Sequence, residues 1–187
     1  AGERFGIVGC AVGAPFAVLL AEQMFASSCS LLLSVTSAGE IAPGPPGPYF
    51  VLIDRALRDD GTSHHYMAPA LFAEAEEALL APVMRAMAGA SPPVIRGATW
   101  TTDAPFRETE AAIAAARGHG ALAVEMEAAA LYAFARARGK PVLCFAHVTN
   151  RMAVAEGDFE KGEANGALDV LRLLSTTARA WRSGGTR

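Results

Sequence analysis

Short, nearly uninterrupted apolar runs alternate along this chain with longer Ala-, Glu- and Leu-rich stretches. That alternation constrains the fold more than any other feature. Runs at 4–9, 30–36, 49–57, 94–99, 121–126 and 141–148 have strand length and read as strands. The run SLLLSVT at 30–36 is apolar almost throughout, as expected of a strand covered on both faces. Between these runs, 15–25, 70–88, 108–117, 127–138 and 160–181 read as helices. Pro15 suits a first helical turn, while Gly118 and Gly139 supply stops. The pattern predicts an α/β fold in three layers, a mixed and largely parallel sheet flanked by helices. The 187 residues are expected to form one domain over 1–187. Within it, the proline-rich stretch 43–48 reads as a stiff loop.

Charge and cysteine content narrow the function classes. The net charge is −3 and no run of Lys or Arg forms a nucleic-acid footprint, so the basic residues of 179–187 read as a solvated tail. Cys10, Cys29 and Cys144 are odd in number, lack metal-ligand spacing and sit in apolar runs. They read as reduced core cysteines of a cytoplasmic protein. No secretory leader is visible, and the apolar runs are too often broken by charge or glycine to span a bilayer. Charged residues make up only 19% of the chain, which suits a surface partly buried against copies of itself. A homo-oligomer is therefore expected. The chain opens on Ala1-Gly2 and enters an apolar run almost at once, so an N-terminal strand and loop are expected to precede it.

In a doubly covered parallel sheet, ligands gather beyond the carboxyl ends of the strands. The residues that follow those ends here are small, polar and acidic: Gly9 to Gly13, Thr36-Ser37-Ala38-Gly39, Thr101-Thr102-Asp103, Glu125-Met126-Glu127 and Thr149-Asn150-Arg151. Glu125-Met126-Glu127 is the most informative. It places Glu127 at a helix start, where the dipole and free N–H groups favour a carboxylate. An ionised carboxylate accepts two hydrogen bonds at once, which matches the vicinal diol of a ribose. The same pattern also reads as an ordinary acidic helix start. Thr36 to Gly39 reads as a turn suited to an anion or a sugar. Gly9-Cys10-Ala11-Val12-Gly13 permits close approach, without the spacing of a dinucleotide loop or a P-loop lysine. His64 and His65 read as surface-loop residues, since neighbours in a strand point to opposite faces.

VEMEAAALYAFA at 124–135 closely resembles the signature of the nucleoside phosphorylase and nucleosidase superfamily. GCAVGAP (9–15), SVTSAGEI (34–41), DGTSHHYMAP (60–69), TTDAPF (101–106) and VTNRMA (148–153) resemble its further segments in the same order. The last resembles a uridine phosphorylase-like ending. The resemblance implies that Glu127 and Met126 hold the ribose and that Glu125 supports the pocket. It implies that Thr36, Ser37 and Gly39 form the sugar and phosphate turn and that Val12 lies in the glycine loop. Phe106 would lie beside the base, with Asn150 and Arg151 at the base edge and Glu127, Asn150 and Arg151 carrying the reaction. No cofactor or metal is implied; the partners are a nucleoside and inorganic phosphate as co-substrate, and the assembly is a dimer or hexamer.

Three positions depart from the pattern. Ser34 stands where the phosphorylases carry a phosphate-binding arginine, a second such arginine would precede Ala1, and Asn150 replaces the aspartate that protonates a purine. Arg55 or Arg58, or arginines of a neighbouring subunit, are the candidates to supply the missing charge. The implied reaction is phosphorolysis of a nucleoside, with phosphate-independent hydrolysis or nucleoside binding without catalysis as the alternatives.

Overall fold

The computed structural model describes residues 4–151 and 163–184, apart from the side chains of Asn150, Arg151 and Glu163. In chain order the elements are α1 (Ala14–Ala26), β1 (Leu32–Glu40), β2 (Tyr49–Asp59), α2 (Ser63–Tyr66), β3 (Phe72–Glu74), α3 (Glu77–Ala86) and β4 (Val94–Thr102). A 3-10 turn (Pro105–Arg107), α4 (Glu110–Gly118), β5 (Ala121–Glu125), α5 (Ala128–Arg138), β6 (Val142–Arg151), a second 3-10 turn (Glu163–Gly166) and α6 (Ala167–Gly184) complete them. The strands form one mixed sheet in the order β3-β2-β4-β5-β1-β6. The longest ladders, β1 with β6 and β2 with β4, are parallel. Residues 49–52 of β2 also pair antiparallel with β6, so the sheet curls back on itself there.

Alternation along the central strands separates two cores. On β2, Tyr49, Val51 and Ile53 face one cluster while Phe50 and Leu52 face another. On β6, Val142, Cys144 and Ala146 join the first while Leu143 and Phe145 join the second. Successive side chains of a strand point to opposite faces, so both faces are covered, and this is why these strands read as continuous apolar runs. α1 and α5 pack on the first face, α3 and α6 on the second. Together they make the three expected layers. α5 lies deepest: all seven residues from Ala128 to Phe134 are buried. Its Tyr132 hydroxyl donates to the Ile53 carbonyl at 2.5 Å and accepts from the Cys144 N–H at 3.1 Å, tying the helix to β2 and β6. Gly139 ends α5 in the left-handed conformation at φ 61, as its place in the sequence predicts.

Several expectations are corrected. Residues 4–9 form no strand; an apolar run becomes one when a neighbouring strand takes its ladder bonds, and this run joins none of the six. Phe5, Ile7, Val8 and Val12 are exposed there, together with Phe16 and Leu19 of α1. The predicted turn Thr36 to Gly39 is instead the continuation of β1, with a register shift between Ala38 and Gly39. The long helix at 70–88 divides, because the free edge of β2 captures residues 72–74 as β3 before α3 begins. Tertiary pairing there overrides helix propensity. α6 begins at Ala167 and carries the basic C-terminal end through Gly184 as helix rather than tail. Of the cysteines, Cys144 is core, Cys29 is half-buried and Cys10 is exposed with φ 59. Among the described residues no helix is long and apolar enough to cross a membrane.

The proline-rich loop is pinned through Glu40, which accepts from the Gly44 N–H at 3.0 Å and from the Tyr49 hydroxyl at 3.1 Å. A Cβ on Gly44 would lie 2.3 Å from the hydroxyl of the fully buried Tyr49, whereas one on Gly118 meets nothing within 4 Å. Gly44→Ala is expected to destabilise the protein by about 1–3 kcal/mol in urea unfolding, and Gly118→Ala to be neutral or slightly stabilising.

Candidate active site

The ends of β4 and β5 meet the start of α5 in a network of buried hydrogen bonds. Glu125, the last residue of β5, is 3% exposed. One of its oxygens, Oε2, accepts from the backbone N–H groups of Glu127 and Ala128, each at 2.7 Å. The other, Oε1, accepts from the Thr99 hydroxyl at 3.1 Å and from the Thr101 hydroxyl. Thr101 Oγ1 in turn accepts from the Ala129 N–H at 3.0 Å. The opening amides of α5, which have no partner within the helix, are thus satisfied by one carboxylate and one hydroxyl. Glu127 occupies the N-cap position at φ −131 and ψ −37, but its side chain makes no capping bond. Capping therefore falls to Glu125, which corrects the expectation that Glu127 is the carboxylate held by these amides.

The Glu127 side chain turns elsewhere. It is 4% exposed, and its Oε1 accepts from the Gly13 N–H at 2.6 Å, a contact spanning 114 residues. Its Oε2 accepts from the Met126 N–H at 3.3 Å. Gly13 precedes α1 at φ 89, a conformation that favours glycine. Glu127 consequently lies at the N-terminal ends of α1 and α5 together, where both dipoles favour negative charge. The glycine loop was legible as a place of close approach, but its partner was not.

β1 borders this site. Gly39 pairs with Val124 of β5 and with Asn150 of β6. The antiparallel pairing of β1 with β5 covers Gly39 with Val124 and Glu40 with Ala123, next to the point where β1 shifts register against β6 between Ala38 and Gly39. Ser37 is exposed, Thr36 and Met126 are half-buried, Gly39 is buried and Val12 is exposed, so the rim near Glu127 opens to solvent. Phe106 sits on the 3-10 turn after β4 and is fully exposed. The side chains of Asn150 and Arg151, together with Met152 and Ala153, lie outside the described residues. Thr101, expected just beyond the end of a strand, belongs to β4 and faces Glu125. Two surface grooves, one along α6 and one between residues 66–70 and Arg136, are lined by none of these residues.

The proposed substitutes for phosphate-binding charge are engaged elsewhere. Arg58 donates to Ser63 Oγ, His64 Nδ1 and the carbonyls of Met67, Ala68 and Ala70, pinning the segment that follows α2. The Arg55 guanidinium lies 4.9 Å from the centre of the Phe72 ring. Ser34 sits half-buried within β1, opposite Cys144. Electrostatically, Glu125 stands out: burial, and then the neighbouring charge of Glu127, push its carboxyl up to about 7. The Thr101 hydroxyl and the amides of Glu127 and Ala128 pull the other way without overcoming burial.

The sequence profile of the phosphorylase superfamily matches residues 1–179. Uridine phosphorylase from Vibrio fischeri superposes with a TM-score of 0.69 at 21% identity, over 92% of this chain and 69% of that one. AMP nucleosidase from Bacteroides thetaiotaomicron superposes with a TM-score of 0.76 at 19% identity, over 92% of this chain and 72% of that one. No curated protein sequence matches the chain. At such identities the two structures speak for the fold alone, and it is the profile, covering nearly the whole length, that places this chain in the phosphorylase superfamily.

Proposed function

We propose that this protein cleaves the N-glycosidic bond of a nucleoside, with Glu127 gripping the ribose. The observation that carries the reading is how the Glu127 carboxylate is held. An ionised carboxylate offers about four lone-pair sites. Gly13 takes one on Oε1 and Met126 takes one on Oε2. Among the described residues one acceptor site is left on each oxygen, which is the complement of two neighbouring hydroxyl donors. Met126 and Val12, the chain neighbours of Glu127 and Gly13, would line the approach of the sugar together with Ser37.

Breaking the bond builds positive charge on the ribose and negative charge on the base. Anionic groups beside the sugar and donors beside the base therefore favour the transition state over the ground state. Glu127 and Glu125 supply the first. Asn150 and Arg151, at the end of β6, are assigned to the second by the resemblance of their segment. Inorganic phosphate is the proposed nucleophile, with free base and ribose 1-phosphate as products. Water as nucleophile is the second reading. It is favoured by Ser34, where no guanidinium is offered, and by Arg58, whose donors are consumed by residues 63–70. A phosphate dianion needs cationic partners, usually arginines.

Purine and pyrimidine nucleosides assayed with and without phosphate test the reading. Base release that scales with added phosphate supports phosphorolysis, release in phosphate-free buffer supports hydrolysis, and binding without release removes the catalytic claim. Glu127→Gln is expected to lower kcat/KM by about 100-fold or more through loss of a charge-assisted contact. A rate near that of the wild type removes Glu127 from the site. Glu125 is neutral below about 7 and ionised above it. Because negative charge beside the sugar aids the reaction, kcat/KM is expected to rise as pH increases through that value. Glu125→Gln is expected to flatten this limb of the pH profile; an unchanged limb assigns it to another group.

A further inference from the structure

Thr101 is fully buried near the end of β4, and its hydroxyl is placed between two elements that the chain otherwise joins only through a tight junction. It donates to Glu125 Oε1 and accepts from the Ala129 N–H at 3.0 Å. Glu125 Oε2 holds the next two amides back along the chain, those of Ala128 and Glu127. Thr99, on the same face of β4 two residues earlier, donates to Oε1 as well. Three successive amides of the β5–α5 junction are thus clasped, and the clasp is anchored on β4. The backbone of Glu127 is one of the clasped groups.

We propose that Thr101 is a positioning residue that acts through Glu125 and the first turn of α5 to hold Glu127 in the orientation that grips the ribose. The proposal rests on the ribose reading above and goes beyond it, because Thr101 touches no substrate. The Glu125 carboxylate could otherwise turn about the rotatable bonds of its side chain, and its Oε1 is held by the two threonine hydroxyls. Replacing Thr101 by valine keeps the volume but leaves the Ala129 N–H without an acceptor and removes one donor from Oε1. A buried polar group left without its partner destabilises the arrangement around it, so the junction would relax. Glu127 would then lose its alignment with Gly13 and with the diol. Serine at position 101 keeps both hydrogen bonds and preserves the clasp.

The test is sugar selectivity rather than total activity, since a purely structural role would lower all substrates alike. Adenosine, uridine and their 2′,3′-dideoxy counterparts are titrated calorimetrically in phosphate-free buffer against the wild type, Thr101→Val, Thr101→Ser and Glu127→Gln. Where turnover occurs, kcat/KM replaces Kd. The preference for the ribonucleoside over its dideoxy form is expected to fall about tenfold in Thr101→Val and to stay at the wild-type level in Thr101→Ser. Should Thr101→Val fail to fold, Thr99→Val deletes the second hydroxyl donor to the same oxygen and is expected to lower the preference about threefold. If Glu127→Gln abolishes the preference while the threonine variants keep it, the role of Thr101 is wrong and the ribose reading stands. If Glu127→Gln keeps it too, or the wild type shows none, the ribose reading itself fails and takes this proposal with it.

Discussion

Two carboxylates two residues apart, both nearly sealed from water, are the constraint around which this fold is arranged. Burial raises the cost of ionising Glu125, and the neighbouring charge of Glu127 raises it further. The structure meets that cost by dividing the available donors. Glu125 receives two threonine hydroxyls from β4 and two amides from the start of α5. Glu127 receives the amide of Gly13, brought from the start of α1. Each donor set comes from a different part of the chain, so the pair can form only when β4, β5, α1 and α5 are all in place. The apolar run of α5 and its tyrosine anchor to β2 and β6 make that placement rigid.

The central sheet was legible because its strands are covered twice. Residues 49–53 and 141–146 are unbroken apolar runs, and they lie between the α1/α5 layer and the α3/α6 layer. What was misread depended on partners distant in sequence. Ser37, Ala38 and Gly39 are small and polar enough to signal a turn, yet β6 pairs with all three and β5 with Gly39, and these ladders hold them extended. Residues 72–74 have helical composition, and only the open edge of β2 makes them a strand. Residues 4–9 have strand composition and join no ladder.

The candidate site divides in the same way. Glu125 and Glu127 were visible as a pair at a strand-to-helix junction, but spacing does not say which carboxylate turns back onto the helix. The amides of the helix start, expected beside Glu127, are held by Glu125, and Glu127 reaches across to α1. Thr99 and Thr101 were visible as residues and silent as partners, because their meeting with Glu125 follows from the parallel register of β4 and β5. Thr101 pairs with Glu125 itself in that register, so period-two alternation brings Thr99 to the same carboxylate. The family resemblance supplied the importance of this junction, and the register supplied its wiring.

The described residues leave two acceptor sites on Glu127, one per carboxylate oxygen, and the proposed grip on the ribose uses both. A crystal structure of the protein with a bound nucleoside tests that claim most directly. The account predicts the ribose 2′- and 3′-oxygens at about 2.5–3.0 Å from the two carboxylate oxygens of Glu127, with the Gly13 contact retained. A sugar bound elsewhere, or one whose hydroxyls leave that carboxylate untouched, would contradict it.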